Sequence, residues 1–282
     1  MDRQKRILAV HDISCVGRCS LTVALPVLCS AGFDTGVLPT AVLSTHTGDF
    51  TNYTYRDLTE DILPILRHWE QLDLQFDAIY TGYMVSPEQV TLVEMLFDAF
   101  PDALRFVDPV MADNGRLYKG FSIDFPEKIA RLCRRAHWMV PNFTEACLLT
   151  GIPYHEGLQT PEEVRAVLAA LLDMGAQNAV LTGVSYQPGM LGVAAAADGQ
   201  MLHAFSEWIP GTFHGTGDVF SSGLLAGLLH ELPKEKALQT AVAFTCRSIH
   251  RTVELGQEVR YGVAFETALP FLIHALGMTA ED

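Results

Sequence analysis

Short apolar segments alternate with longer amphipathic segments along the whole chain, and this alternation constrains the fold more than any other feature. Several of the short segments lack in/out alternation, which is typical of strands covered on both faces. The pattern predicts a mostly parallel sheet with helices on both faces. The predicted strands are residues 6–11, 37–43, 78–82, 105–108, 138–140, 178–182 and 191–197. The predicted helices are residues 21–31, 57–71, 87–100, 125–135, 144–150, 161–174, 218–229, 234–255 and 264–276.

The chain has no internal repeat, low-complexity tract or long linker, so we expect one domain over residues 1–282. Its 19 Lys and Arg against 33 Asp and Glu give a net charge of −14. That balance argues against nucleic acid or an anionic membrane as a partner, because a cationic surface is the main source of such affinity. An anionic substrate is still compatible, because backbone N–H groups can bind phosphate in a locally positive pocket.

The N-terminal apolar run ends at His11, which is too short for the core of a signal peptide. The longest run of small apolar residues, 191–197, is far below the roughly 20 residues that span a bilayer. We therefore expect a soluble, cytoplasmic protein with reduced cysteines. Cys15 and Cys19 could form half of a metal site, but we expect them to be small packing residues.

The most informative stretch is Gly215-Thr216-Gly217-Asp218, which precedes an apolar helix. Glycines let successive N–H groups converge, and a helix N-terminus adds partial positive charge, so these residues form a candidate anion cradle. Asp218 could accept a proton from an attacking hydroxyl, although an ordinary aspartate with a pKa near 4 is a weak base. The alternative is a capped helix with an acidic first turn. The chain has no Walker A loop, and Phe220 replaces the third glycine of a dinucleotide fingerprint.

Acidic and amide side chains follow two other predicted strands. Asp108 ends one strand and Asp113 lies five residues later, while Asn142 and Glu145 stand three apart at a helix start. Oxygen ligands of this kind suit Mg²⁺, which prefers one or two carboxylates plus water and phosphate. The alternative for these residues is an Asx-turn and an N-terminal capping pair.

Polar residues also follow the first three strands. Asp12 leaves the first predicted strand into a glycine-containing loop, His46 and Thr47 follow the second, and Tyr83 follows the third. Thr and His supply hydrogen bonds, and Tyr83 offers an aromatic face for a flat ring. Each of them could instead be a packed loop residue. Tyr53 and Tyr55 are weaker candidates for a flap.

Together these motifs resemble the ribokinase-like small-molecule kinases, and within them the vitamin B6 kinases. The resemblance runs nearly end to end, and the order of its markers is specific where any single marker is weak. The markers are the glycine-containing loop after the first strand, Thr45-His46-Thr47-Gly48, Asp108-Pro109-Val110-Met111 with Asp113, Asn142-x-x-Glu145, and Gly215-Thr216-Gly217-Asp218. The resemblance implies a single-domain, three-layer α/β/α sandwich and, by analogy, a homodimer.

The resemblance also implies a reaction, the transfer of the ATP γ-phosphate to the 5′-hydroxymethyl group of pyridoxal, pyridoxine or pyridoxamine, as in pyridoxal 5′-phosphate salvage. By similarity Asp218 is the base, and Gly215, Thr216 and Gly217 form the anion hole. The ring of the vitamer would face Asp12, His46, Thr47 and Tyr83. The ATP phosphates would lie near Asp108, Asp113, Asn142, Glu145 and Thr182, with Mg²⁺ held by Asp108 and Glu145 partly through water; a monovalent cation is also compatible.

One departure from the B6 kinase pattern concerns the ring. Many B6 kinases carry Ser-His where this chain has Asp12-Ile13, and hydroxymethylpyrimidine kinases of thiamine synthesis tend to have an aspartate there. The His-Thr-Gly segment that includes His46 favours a B6 vitamer, and a hydroxymethylpyrimidine is the alternative substrate. A non-catalytic ligand-binding protein is the third reading, which the intact Asp218 disfavours.

Overall fold

A central sheet of nine strands organises the chain. The structure, a computed structural model, describes residues 3–278. In chain order the strands are β1 (Arg6–Val16), β2 (Asp34–Thr45), β3 (Tyr55–Asp57), β4 (Ala78–Thr81), β5 (Leu104–Val107), β6 (Ala112–Asp113), β7 (Arg116–Leu117), β8 (Trp138–Met139), β9 (Asn178–Val184), β10 (Met190–Ala197) and β11 (Gln200–Glu207).

The strand order of the main sheet is β11-β10-β9-β8-β5-β4-β1-β2-β3, and β6 and β7 form a separate hairpin. The strands from β9 to β2 in this order run parallel, while β3, β10 and β11 are antiparallel additions at the two edges. The mostly parallel sheet predicted from the sequence is therefore confirmed.

Helices cover both faces of the sheet and create two separate apolar cores. They are α1 (Leu21–Ser30), α2 (Thr59–Gln71), α3 (Pro87–Ala99), α4 (Phe125–Cys133), α5 (Phe143–Thr150), α6 (Pro161–Asp173), α7 (Thr216–Leu229), α8 (Lys234–Glu254) and α9 (Leu269–Ala275). Helices α2 to α6 pack on one face. Helices α1 and α7 to α9 pack on the other, which completes the three layers.

Local capping explains where two of these helices begin. Ser86 accepts a hydrogen bond from the backbone N–H of Gln89 at the start of α3, and a proline occupies the first turn. Thr160 and Glu163 form a capping box at the start of α6. Each side chain satisfies an N–H group that has no partner within the helix, so these boundaries follow from the sequence.

Several boundaries differ from the prediction. β1 continues to Val16, so Asp12 lies within the strand and not in a loop after it. Asp57 belongs to β3, and α2 begins only at Thr59. The helix predicted over residues 264–276 is a 3₁₀ turn, Phe265–Ala268, followed by α9. The edge strands β3 and β11 and the β6–β7 hairpin are missing from the prediction.

Candidate active site

The anion cradle, residues 215–218, forms the start of α7. Gly215 has a φ of 74°, and a Cβ there would lie 2.0 Å from the carbonyl oxygen of Arg18. Only glycine fits this position, because it tolerates a positive φ and lets the loop between β1 and α1 pack against the cradle. No side chain within residues 3–278 caps α7. Its first N–H groups therefore have no side-chain partner among these residues, which is what the predicted anion site requires.

Gly217 has a different reason to be glycine. A Cβ built on it meets no atom of residues 3–278 within 4 Å, and its φ is not positive. Neither packing nor backbone strain therefore requires glycine here. The absent side chain leaves open space above the first turn of α7, where a phosphate could approach the backbone closely.

Asp218 lies in this first turn and is half-buried. Its Oδ2 accepts a hydrogen bond of 2.8 Å from the backbone N–H of Ser20, which directly precedes α1. The pKa of Asp218 is raised to about 7, chiefly by burial and to a smaller extent by the charge of Asp12, while the Ser20 N–H acts to lower it. A carboxyl with a pKa near neutrality is a better base than the ordinary aspartate that the sequence alone suggests.

Asp12 is buried near the end of β1, and the Ser14 hydroxyl donates a 3.2 Å hydrogen bond to its Oδ2. Burial raises the pKa of Asp12 to about 6, against the hydroxyls of Ser20 and Ser14, which lower it. Burial is the main cause that raises the pKa of the Tyr83 phenol to about 12, and the charge of the nearby Asp12 adds to it. Asp12 is thus close enough to influence both Tyr83 and Asp218.

Asp108 follows β5 and is buried, with its Oδ2 accepting a 2.9 Å hydrogen bond from the hydroxyl of Ser221 on α7. Burial raises the pKa of Asp108 to about 8, and the charge of Asp218 raises it as well. Burial also raises the pKa of Glu145, to which Asp108 adds a repulsive charge. Asp218, Asp108 and Glu145 therefore form a chain of interacting acidic groups.

Glu145 both caps a helix and holds the chain segment that follows Asp108. With Asn142 it forms a capping box at the start of α5. Its Oε1 also accepts hydrogen bonds of 2.9 and 3.3 Å from the backbone N–H groups of Met111 and Ala112. Glu145 therefore fixes the chain just after Asp108, and the capping interpretation is confirmed.

The remaining residues predicted to bind the nucleotide lie near Glu145, at the carboxyl ends of the parallel strands. Asn142 donates a 2.7 Å hydrogen bond to the carbonyl of Ala112 and is bridged to Thr182 of β9. Asp113 lies in β6 of the hairpin with much of its surface exposed, and partial desolvation of its carboxyl raises its pKa. Tyr118, at the end of this hairpin, has its pKa raised by burial and by the charges of Glu145 and other acidic groups. The sequence prediction does not include Tyr118.

His46 fixes the loop that follows β2. Its Nδ1 accepts a 3.2 Å hydrogen bond from Gly48 N–H, and its Nε2 lies 2.5 Å from the carbonyl oxygen of Arg260. A carbonyl only accepts, so the proton lies on Nε2 and both ring nitrogens are engaged. His46 can therefore offer a substrate its ring face but no further nitrogen. Thr47 is half-buried beside it.

The sequence prediction also misses the contact between this loop and the anion cradle. His214, directly before Gly215, lies 2.7 Å from the Asp49 carboxylate through Nε2, and its ring centre is 4.8 Å from that of His46. A Cβ on Gly48 would be 2.8 Å from the His214 ring. The position of His214 beside the Gly-Thr-Gly-Asp motif is the signal that could have indicated it.

The acidic groups have no counter-charge from residues 3–278. Within residues 3–278, no Lys, Arg or His lies within ion-pair distance of Asp12, Asp108, Glu145 or Asp218. Buried carboxylates without a partner are costly, and their oxygen atoms are the ligands that Mg²⁺ prefers. The donor set therefore fits a divalent cation beside an anion site.

The sequence matches the model of the phosphomethylpyrimidine kinase family over residues 54–262, well over half of the chain. The chain belongs to this family. It is a kinase, and its fold is the ribokinase-like fold that the sequence predicts.

Individual proteins similar to this chain are also described as kinases. A candidate phosphomethylpyrimidine kinase from Bacteroides thetaiotaomicron, crystallised with pyridoxal, is 36% identical, with a TM-score of 0.91 over 99% of this chain and 98% of that chain. Pyridoxal kinase from Lactobacillus plantarum is 30% identical, with a TM-score of 0.89 over 96% of this chain and 98% of that chain. The pyridoxine/pyridoxal/pyridoxamine kinase of Bordetella avium is 27% identical over 266 residues, 86% of this chain and 84% of that protein.

No helix within residues 3–278 combines the length and apolar character needed to cross a membrane.

Proposed function

We propose that this kinase transfers the γ-phosphate of ATP to the 5′-hydroxymethyl group of a B6 vitamer. The observation that carries the proposal is the placement of Asp218 in the first turn of α7, which no side chain of residues 3–278 caps, with Asp12 near both Asp218 and Tyr83. The 36% identical relative crystallised with pyridoxal supports a pyridine ring as the acceptor.

In this reaction the phosphate lies against the anion cradle, where the N–H groups of Thr216 and Gly217 and the N-terminus of α7 stabilise its charge. The vitamer oxygen forms a bond to the γ-phosphorus while the bond from that phosphorus to the bridging oxygen of ADP breaks. Asp218 orients the hydroxyl and accepts its proton. Phosphoryl transfer depends mainly on such positioning and charge stabilisation.

Asp108 would hold Mg²⁺ directly. Glu145, whose oxygens already accept backbone N–H groups, would act through water. The ion supplies charge neutralisation for the ATP phosphates. Thr182 and Asn142 lie at the same edge and would border the nucleotide, with Asp113 on the hairpin above. The monovalent cation and the homodimer stay predictions.

On the vitamer side, Asp12 and the hydroxyl of Thr47 would bind the polar substituents of the ring, and Tyr83 would contact its face. His46 would support Thr47, because its own nitrogens are engaged. The contact of His214 with His46 joins the loop after β2 to the anion cradle. This contact would keep the acceptor and the phosphate at a fixed distance from each other.

A hydroxymethylpyrimidine is the second candidate substrate, favoured by the carboxylate at position 12 and by the family to which the chain belongs. The test is an ADP-release assay with pyridoxal, pyridoxine, pyridoxamine, hydroxymethylpyrimidine and ribose under identical conditions. Our proposal requires the highest kcat/KM for one of the three B6 vitamers. A higher value for hydroxymethylpyrimidine would transfer the assignment to that ring, and turnover of none would favour a binding protein.

A further inference from the structure

Three potential metal ligands lie close together at β11, the edge strand on the opposite side of the sheet from β3. Glu207 is the last residue of the edge strand β11, and Cys246 and His250 stand four residues apart on α8. Residues at this spacing share one helix face, and α8 packs over β11 so that this face meets the strand. The thiol, imidazole and carboxylate ligand atoms lie within 4.8 Å of one another.

We propose that Glu207, Cys246 and His250 bind a transition-metal ion of the Zn²⁺ class. Zinc accepts sulfur, nitrogen and oxygen ligands together, and three protein ligands leave one tetrahedral position for water. A thiolate and an imidazole are poor ligands for Mg²⁺, so this site differs in chemistry from the acidic groups around Asp108.

The side chains need only small adjustments to surround a zinc ion. Tetrahedral ligands at zinc bond lengths of about 2.0–2.3 Å are about 3.3–3.8 Å apart. His250 Nε2 and Glu207 Oε1 are 2.7 Å apart and would separate by about 0.6 Å, whereas ligand atoms up to 4.8 Å apart would move closer. Glu207 is exposed and His250 half-buried, so both side chains have room to adjust. The two ligands on α8 lie on the fixed helix backbone, so Glu207 is the ligand that moves most.

The surroundings favour access of an ion. Cys246 lines an open groove of about 480 Å³ between β11 and α8. The neighbouring Arg247 places its guanidinium 4.3 Å from the centre of the Phe271 ring, a contact that occupies this cation with the aromatic face. A bound ion would join the end of the edge strand to α8.

Titration with Co²⁺ tests the site, because cobalt accepts the same ligands and a thiolate bound to it gives a charge-transfer absorption band. With the thiols kept reduced, we expect one equivalent of Co²⁺ to produce the band and one equivalent of Zn²⁺ to remove it. Cys246→Ser should abolish the band. The matched control Cys29→Ser, at an exposed cysteine of α1, should leave the band and the affinity unchanged.

His250→Gln and Glu207→Gln provide the second arm. Glu207 is exposed and His250 half-buried, so we expect both variants to fold. Loss of even an outer partner of a metal site costs about 10–100-fold in affinity, so each variant should weaken Zn²⁺ binding at least about 10-fold. Zn²⁺ should also raise the Tm of the unsubstituted protein and not that of these variants. Absence of the band, or a band and an affinity that survive Cys246→Ser or His250→Gln, would overturn the proposal.

Discussion

The backbone N–H of Ser20 donates a 2.8 Å hydrogen bond to the carboxylate of Asp218, which joins the start of α1 to the start of α7. Ser20 itself has a φ of 56° and a ψ of −125°, a region that favours glycine. The contact therefore fixes the candidate base at the expense of local backbone strain, in the way that functional sites often do.

Ser20→Gly should raise the free energy of unfolding by about 1 kcal/mol, because glycine adopts this backbone conformation without strain. The N–H group that contacts Asp218 is retained, so kcat should stay within about threefold. Denaturant unfolding measures the first quantity and an ADP-release assay the second. Ser20→Ala is the control, since it removes the hydroxyl and keeps the strain. Equal stabilisation by both substitutions would show that strain is not the cause.

Gly217→Ala should separate activity from stability. An alanine Cβ there meets no atom of the described residues 3–278 within 4 Å, and alanine favours helix. The free energy of unfolding should therefore stay equal or rise by up to about 1 kcal/mol. The new methyl group occupies the space proposed for the phosphate, so kcat/KM should fall by at least about tenfold. Gly215→Ala is the contrasting variant, because its methyl would contact the Arg18 carbonyl and should lower stability. Normal activity of Gly217→Ala would place the phosphate elsewhere.

The stability of the ligand-free protein should fall between about pH 4 and pH 8. Asp108, with its pKa raised to about 8 by burial, binds a proton in the folded state over a range where the unfolded chain, with a pKa near 4, has lost it. Stability falls with rising pH wherever the folded state binds more protons. Thermal unfolding at pH 5.5 and pH 8 measures the difference, which Asp108→Asn should reduce. The exposed Asp173→Asn should leave it unchanged, and an equal effect of both would contradict the prediction.

Removing a proposed ligand of Mg²⁺ should change the metal requirement more than the vitamer requirement. In Asp108→Asn we expect the Mg²⁺ concentration for half-maximal activity to rise at least about tenfold, with a smaller change in vitamer KM. Glu145→Gln should show a similar shift and also lose about 1 kcal/mol of stability, because Glu145 caps α5. Activity measured against Mg²⁺ in each variant checks this. A superimposable Mg²⁺ curve would remove Asp108 from the metal site.

The sequence predicts the fold well because apolar segments covered on both faces leave few alternatives to a parallel sheet. It fails at the edges, where packing no longer constrains the pattern. The β6–β7 and β10–β11 hairpins turn through Asn114-Gly115 and Asp198-Gly199, whose positive φ angles suit tight two-residue turns. Asn-Gly and Asp-Gly are strong hairpin signals, so both hairpins could have been predicted.

Prediction of the site from the sequence is limited by a different cause. Motif order indicates Asp218, Asp108 and Glu145, and each parallel strand brings its following residue to the same edge. Contacts between distant loops, such as His214 with His46 or Ser20 with Asp218, depend on tertiary packing that no local pattern encodes. The raised pKa of Asp218 also depends on tertiary packing, because burial is its main cause. The metal roles, and one domain over residues 1–282, stay predictions.

The most direct test of the account is the turnover number of Asp218→Asn with ATP and its best vitamer, at saturating concentrations of both. Loss of a general base typically lowers the rate by about 10²–10⁴-fold, and we expect that loss in kcat with a folded protein and nucleotide affinity close to that of the unsubstituted enzyme. A variant with near-normal kcat would show that the carboxylate at position 218 neither orients the hydroxyl nor accepts its proton.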